Sequence, residues 1–147
     1  MNADEIDWLK DKLRNWKEII GLLFEGLTCT LKKEVKAVYR VFELIDPEDK
    51  EVLLDGLMLP VGNELHIFIR AYPDDLEQEG LTLLHEILHI NFEHRREDKD
   101  AFIQNLAEAL WREFSESQKR MLIDFIPDEI TDHKPELLIE ALREALP

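Results

Sequence analysis

The chain is 147 residues long, which predicts one domain over residues 1–147 with a hydrophobic core of ordinary size. Its 18 basic residues stand against 33 acidic ones, a net charge of −15 with no separate basic patch, so nucleic acid is excluded as an expected partner. A single cysteine cannot form an internal disulfide, and a charged N-terminus without any long apolar run predicts a cytoplasmic chain with no membrane partner.

The first predicted element is an amphipathic helix over residues 4–26, which we expect to back the fold and to end near Gly26. Its apolar residues recur at intervals of three and four. They are Ile6, Leu9, Leu13, Trp16, Ile20 and Leu23. Cys29 follows in the segment LTCTL, where it is expected to be a small buried hydrophobe.

Three strands are predicted next. Residues 35–45 are rich in β-branched and aromatic residues, and although their spacing also fits a helix, a strand is the favoured interpretation. A turn signal at residues 46–49 precedes two further strands, at residues 51–59 and 64–72. Together these segments predict a short antiparallel three-stranded sheet.

A helix that begins after Asp74 or Asp75 follows the sheet, because either aspartate can cap its first turn. Residues 81–92 of this helix are apolar on nearly all sides, which is typical of a helix buried inside a domain. We refer to it as the motif helix.

Three more helices are expected towards the C-terminus. One runs from about residue 98 to 114, one follows a capping-box sequence at Ser115–Gln118, and one opens at Pro135 and ends near residue 146. The sequence therefore predicts an α+β fold with extra C-terminal helices.

The motif helix contains the sequence His85-Glu86-Ile87-Leu88-His89. Residues four apart project from the same face of a helix about one turn from each other, so the two imidazoles can bind one divalent ion. In an apolar helix, two histidines and a glutamate would cost on the order of several kcal/mol without polar partners. A metal ion is such a partner; the competing interpretation is a core helix whose histidines bond to backbone carbonyls.

The predicted chemistry is hydrolysis with zinc as cofactor. Zinc lowers the pKa of a bound water to roughly 7 and polarises the carbonyl to be attacked. Glu86 lies one residue after the first histidine, where it can accept a proton without being a ligand, and we assign it as the general base.

A third ligand is needed, and three residues compete for that position. If the chain turns over residues 95–99, Glu108 lies level with Glu86, although the apolar stripe of its own helix faces elsewhere. Asp100 is closer to the edge of that stripe but needs an earlier turn, and His94 can ligate only if the motif helix breaks. Spacing favours Glu108, with Asp100 and His94 as alternatives.

The segment TLLHEILHINFEH, followed by a helix bearing AEALW, resembles the gluzincin clan of zinc metallopeptidases. The small size and the HExxHxxxxH extension resemble the minigluzincins, minimal relatives of the catalytic domains of integral-membrane peptidases. The resemblance covers residues 64–110. It implies a small zincin-like domain in which His85 and His89 bind zinc, Glu86 is the base, and Glu108 on a "glutamate helix" is the third ligand.

The resemblance also implies a peptide or protein substrate. An extended peptide would lie along the strand at residues 64–72, which would form the rim of the cleft and bind by β-augmentation. Members of the family can be latent, with a terminal segment over the cleft, a role open to residues 135–146. A non-enzymatic module with a structural or absent metal, acting in interaction or regulation, is the alternative function.

Overall fold

The structure is a computed structural model that describes residues 2–46, 49, 51–92, 100–131, 140 and 144. The described part is α+β, with four helices and one small sheet of three strands. The expected last helix, at residues 135–146, lies outside the described residues except for positions 140 and 144, which are both helical. The elements are α1 (Ala3–Glu34), β1 (Val35–Val41), β2 (Gly56–Val61), β3 (Glu64–Arg70), α2 (Leu76–Phe92), α3 (Asp100–Glu113) and α4 (Glu116–Ile123).

Helix α1 begins with a capping box in which the Asn2 side chain accepts the Glu5 N–H and the Glu5 carboxylate accepts the Asn2 N–H. The expected end near Gly26 was wrong, because the helix continues to Glu34. A glycine inside a helix costs only about 1 kcal/mol relative to alanine, so Gly26 alone does not end the helix. Apolar residues further along, Leu27 among them, hold the second half against the core.

The first half of α1 does not back the fold as predicted. Of the six apolar residues in its stripe only Ile20 is buried, and every residue from 2 to 19 is exposed. Cys29 is also exposed, contrary to prediction. Apart from a hydrogen bond from Trp16 to Glu113, the described body of the protein thus lies beside the second half of α1. None of the described helices is both long enough and apolar enough to cross a lipid bilayer.

The sheet is mixed, so the prediction of an antiparallel sheet was wrong. The strand predicted from residue 35 is confirmed as β1, but it pairs in parallel with β3, which lies in the middle of the order β1-β3-β2. Strands β2 and β3 form the expected hairpin through Gly62, whose φ of 63° suits glycine. The chain crosses from β1 to the far edge before this hairpin, which leaves the central position to β3.

The sheet separates two groups of buried side chains. On one face, Ile67 and Ile69 pack against the main core, to which all four described helices contribute. On the other face, Phe68 packs with a smaller set that includes Val41 and Leu44. Because α2 contacts the sheet and each of the other three helices, it is the central element of the described fold.

Two polar interactions fix the start of α2. The Asp75 carboxylate accepts the Gln78 N–H, which confirms the predicted cap. One turn later, Glu79 is fully buried and binds Arg40 of β1 through two hydrogen bonds of 2.7 and 2.8 Å. It also accepts the Tyr72 N–H at 2.9 Å. The carboxylate therefore ties the sheet and the incoming chain to the motif helix.

We expect Glu79→Gln to lower the free energy of unfolding by about 3–5 kcal/mol, because it leaves the buried Arg40 without its charged partner. The double variant Arg40→Met/Glu79→Leu should lose less than Glu79→Gln, since it removes both charges. Urea denaturation measures both, with exposed Glu77→Gln as the control expected to change stability by less than about 0.5 kcal/mol. A cost for Glu79→Gln no greater than that of the control would contradict the anchoring role.

Candidate metal centre

Helices α2 and α3 bring three side chains to one point. The Nε2 atoms of His85 and His89 lie 2.9 Å apart, and Oδ1 of Asp100 lies 3.0 Å from the first and 2.8 Å from the second. Both histidines are partly buried, whereas Asp100 is exposed at the first residue of α3. The i, i+4 spacing thus turns both imidazoles towards the same neighbour, as predicted.

The donor set fits a divalent metal ion. Two imidazole nitrogens that face each other at 2.9 Å repel unless a proton or cation lies between them. Four-coordinate zinc at its usual bond lengths of about 2.0–2.2 Å separates neighbouring ligand atoms by roughly 3.3 Å, so an outward movement of a few tenths of an ångström would admit the ion. Two imidazoles and one carboxylate leave the fourth position for water or substrate. Among the described residues, His85, His89 and Asp100 could therefore hold a metal ion.

A second residue of α3 orients His85. The Nδ1 atom of His85 lies 2.6 Å from Oε1 of Gln104, and the Gln104 amide donates to a Glu108 oxygen at 3.0 Å. Because the amide nitrogen is committed to Glu108, the amide oxygen faces the ring, which places a proton on Nδ1. The lone pair of His85 Nε2 is then directed at the point where the three side chains meet.

The residues predicted as the third ligand differ in whether they lie at the candidate metal centre. Asp100, an alternative in the sequence, belongs to the group, whereas Glu108, the residue favoured by spacing, lies outside it and contacts Gln104. His94 lies outside the described residues. Gln104 was not anticipated, although the spacing of Asp100, Gln104 and Glu108 at i, i+4 and i+8 on one face of a helix was visible in the sequence.

Glu86 is buried in the wall of a cavity of about 250 Å³ that His85, Asp100 and Gln104 also line. The first residue of β2, Gly56, covers it closely: a Cβ atom there would lie 2.9 Å from Oε1 of Glu86 and 2.6 Å from Thr82. Only glycine allows the strand this approach. The carboxylate is consequently held in a dry position next to the candidate metal centre.

The electrostatics of the two carboxylates differ. Loss of water on burial, and then repulsion by Asp100, raises the pKa of Glu86 to about 8. Burial also raises the pKa of Asp100, but the hydrogen bonds and charges of His89 and His85 outweigh it, so that this pKa lies below its usual value. Asp100 therefore suits the role of an anionic ligand, and Glu86 that of a group that gains and loses a proton.

The strand beside the cavity is β2, and not β3 as the resemblance implied. Strand β3 is paired on both sides, whereas β2 is an edge of the described sheet. In an antiparallel pair of strands, every second residue directs its N–H and carbonyl at the neighbouring strand. The hydrogen bond from the Arg70 N–H to the Asp55 carbonyl shows that residue 55 is one of these in the β2 chain, so residues 56 and 58 are not. Gly56, which lines the cavity, and Met58 consequently direct their backbone groups away from β3. Further along the strand, Pro60 has no N–H to offer.

Comparisons with protein-family models, with curated proteins and with solved structures found no match for this chain.

We expect the residues of α3 to differ in their effect on zinc affinity. Asp100→Ala removes a candidate ligand and should weaken binding by more than about 100-fold, whereas Gln104→Leu, which frees the His85 ring, should cost about 10- to 100-fold. Glu108→Ala should cost less than about tenfold, because its carboxylate acts only through the amide. Competition with a chelator measures all three, and a larger loss for Glu108→Ala than for Asp100→Ala would make Glu108 the ligand.

In metal-free protein, Glu86→Gln should raise stability at neutral and higher pH. Since the folded-state pKa of Glu86 is raised from 4.5 to about 8, the folded protein binds more protons than the unfolded chain between these values, and stability falls as pH rises through that window. We expect the variant to exceed the wild type by about 2–4 kcal/mol near pH 8 and to match it below pH ~4.5. Denaturation in the presence of EDTA tests this, and a constant difference across pH would contradict it.

Proposed function

We propose that this protein is a zinc-dependent peptidase of minigluzincin type. The observation that supports the proposal most is the convergence of two imidazole nitrogens and one carboxylate oxygen within 3.0 Å of each other. A buried carboxylate on the same helix lines the same cavity, so a ligand set and a proton carrier are side by side. His85, His89 and Asp100 would hold the ion, with Glu108 or His94 as competing third ligands.

When bound, zinc would supply an activated water and an electrophile for the scissile carbonyl. Glu86 is the residue that moves protons: as a carboxylate it accepts one from the attacking water, and as an acid it delivers one to the leaving amine. Burial next to Asp100 raises its pKa to about 8 in the metal-free protein, and a nearby cation would lower that value towards neutrality. A carboxyl group with a pKa near the working pH serves both steps.

The substrate class that fits the site is an extended peptide. The backbone groups of Gly56 and Met58 face away from β3 at the edge of the sheet, and Gly56 borders the cavity. A peptide chain that adds to this edge would run past Glu86 and the metal ligands, and it would be held by main-chain hydrogen bonds with little dependence on its sequence. We therefore propose β2 as the strand that would bind the substrate.

A non-enzymatic role for the metal centre is the second candidate, and one observation favours it. Glu86 is only 7% exposed, and the backbone of Gly56 lies against its carboxylate. A base so enclosed reaches a substrate only if β2 moves away. In that role the metal would join α2 to α3, and the chain would act by binding a partner.

The two functions differ in what Glu86→Gln does. The peptidase function predicts bound zinc in the wild type and in the variant, with cleavage of casein or a fluorogenic peptide reduced by about 10²- to 10⁴-fold in the variant alone. Glu77→Gln, an exposed change on the same helix, should cleave like the wild type. Zinc without cleavage in any form would favour the non-enzymatic role, and absence of zinc from purified, zinc-supplemented protein would remove both.

A further inference from the structure

The first half of α1 extends beyond the rest of the described fold. We call residues 3–19 the overhang, because all of them are exposed and the first buried residue of the helix is Ile20. At 1.5 Å per residue the overhang is about 25 Å long. Its base is fixed by Trp16, whose indole N–H donates to Glu113 at the end of α3 at 3.0 Å.

Four apolar residues form a narrow seam along the overhang. Ile6, Leu9, Leu13 and Trp16 have exposed fractions of 40%, 39%, 62% and 48%, and they follow each other at intervals of three, four and three residues. This is the a/d repeat of a coiled coil, in which a seam of two positions in seven meets a second helix. Two further exposed apolar residues of the overhang, Trp8 and Ile19, lie on another face of the helix. The seam itself is narrow, which favours a helical partner.

We propose that the overhang pairs with the overhang of a second copy of this chain to form an antiparallel dimer. The spacing of the seam, three, four and three residues, is the same in both directions. An antiparallel copy therefore places Ile6 opposite the partner's Trp16 and Leu9 opposite the partner's Leu13. Each a position then faces a d position, as antiparallel packing requires. The two copies bury the same surface, which is the arrangement of a two-fold symmetric interface.

The length of the overhang fits this register. With Leu9 opposite the partner's Leu13, the partner's Ala3 lies level with Ile19, one residue before the buried part of α1 begins. The partner helix therefore ends where the body starts. Ile20 continues the stripe four residues after Trp16 and is buried in the core, so the body lies on the face of α1 that carries the seam. In a parallel dimer the two bodies would therefore lie at the same end of the pair, between the helices, and would hold the seams apart.

Charge also permits self-association at this place. The overhang carries five acidic and four basic residues, a net charge of −1, so the other −14 of the chain's −15 lies elsewhere. Like charges do meet near the two-fold axis, where Lys10 approaches the partner's Lys10 and Lys12 approaches the partner's Lys12. An exposed pair of like charges costs much less than one buried leucine contributes. We expect a weak dimer because the interface is small.

Sedimentation equilibrium of the full chain tests the dimer. Wild type should shift from monomer to dimer over a roughly hundredfold range of concentration, and Leu13→Glu should raise the dissociation constant by at least about tenfold. At concentrations where both proteins are monomeric, the two should have the same thermal midpoint. Leu22→Glu is the matched control: it is 69% exposed on the same helix but lies off the seam, and it should dimerise like the wild type. A wild type that remains monomeric, or a dimer that Leu13→Glu leaves intact, would overturn the proposal.

Disulfide trapping tests the orientation. In a Cys29→Ser background, Leu9→Cys and Leu13→Cys chains are mixed, one of them labelled with ¹⁵N, and oxidised with diamide. The antiparallel register brings position 9 to position 13 of the partner, so mass spectrometry should find mainly the mixed disulfide, because only close Cα atoms can be bridged. A predominance of the two homodimeric disulfides would show a parallel pair and would overturn the antiparallel arrangement.

Discussion

The site depends on one electrostatic constraint: the polar atoms of three side chains that meet at one point need a proton or a cation between them. The Nε2 atoms of His85 and His89 and the Oδ1 atom of Asp100 lie within 3.0 Å of each other. Without a cation or proton, the two nitrogens present their lone pairs to each other beside a carboxylate. A divalent ion bound there would relieve this repulsion, neutralise Asp100 and join α2 to α3. The same ion would lower the pKa of Glu86, which burial and Asp100 raise to about 8.

The rest of the fold holds these groups in position. The buried Glu79 carboxylate, bound to Arg40, ties the start of α2 to β1. About two turns further along α2, β2 lies against Glu86, and Gly56 allows this close approach. On α3, the amide of Gln104 takes the other nitrogen of His85, so that the ring has one orientation. The motif helix is thus anchored at its start and oriented by α3 at the candidate metal centre.

Local features of the sequence predicted local structure well. The spacing of His85 and His89, the Asp75 cap and the Ser115 capping box depend on residues within one turn, and all three are present. The place of β3 in the sheet depends on how the chain crosses between strands, which no local pattern records. The choice between Asp100 and Glu108 depends on how α3 is offset along α2. Periodicity identified the apolar face of α1 but carried no information on what covers it.

Anomalous diffraction at the zinc edge, from crystals grown with zinc, would test the central claim most directly. The account predicts one strong peak per chain within about 2.0–2.2 Å of both imidazole Nε2 atoms and of an Asp100 oxygen. A peak bonded to other side chains, or no peak between His85 and His89 in well-ordered crystals, would contradict it.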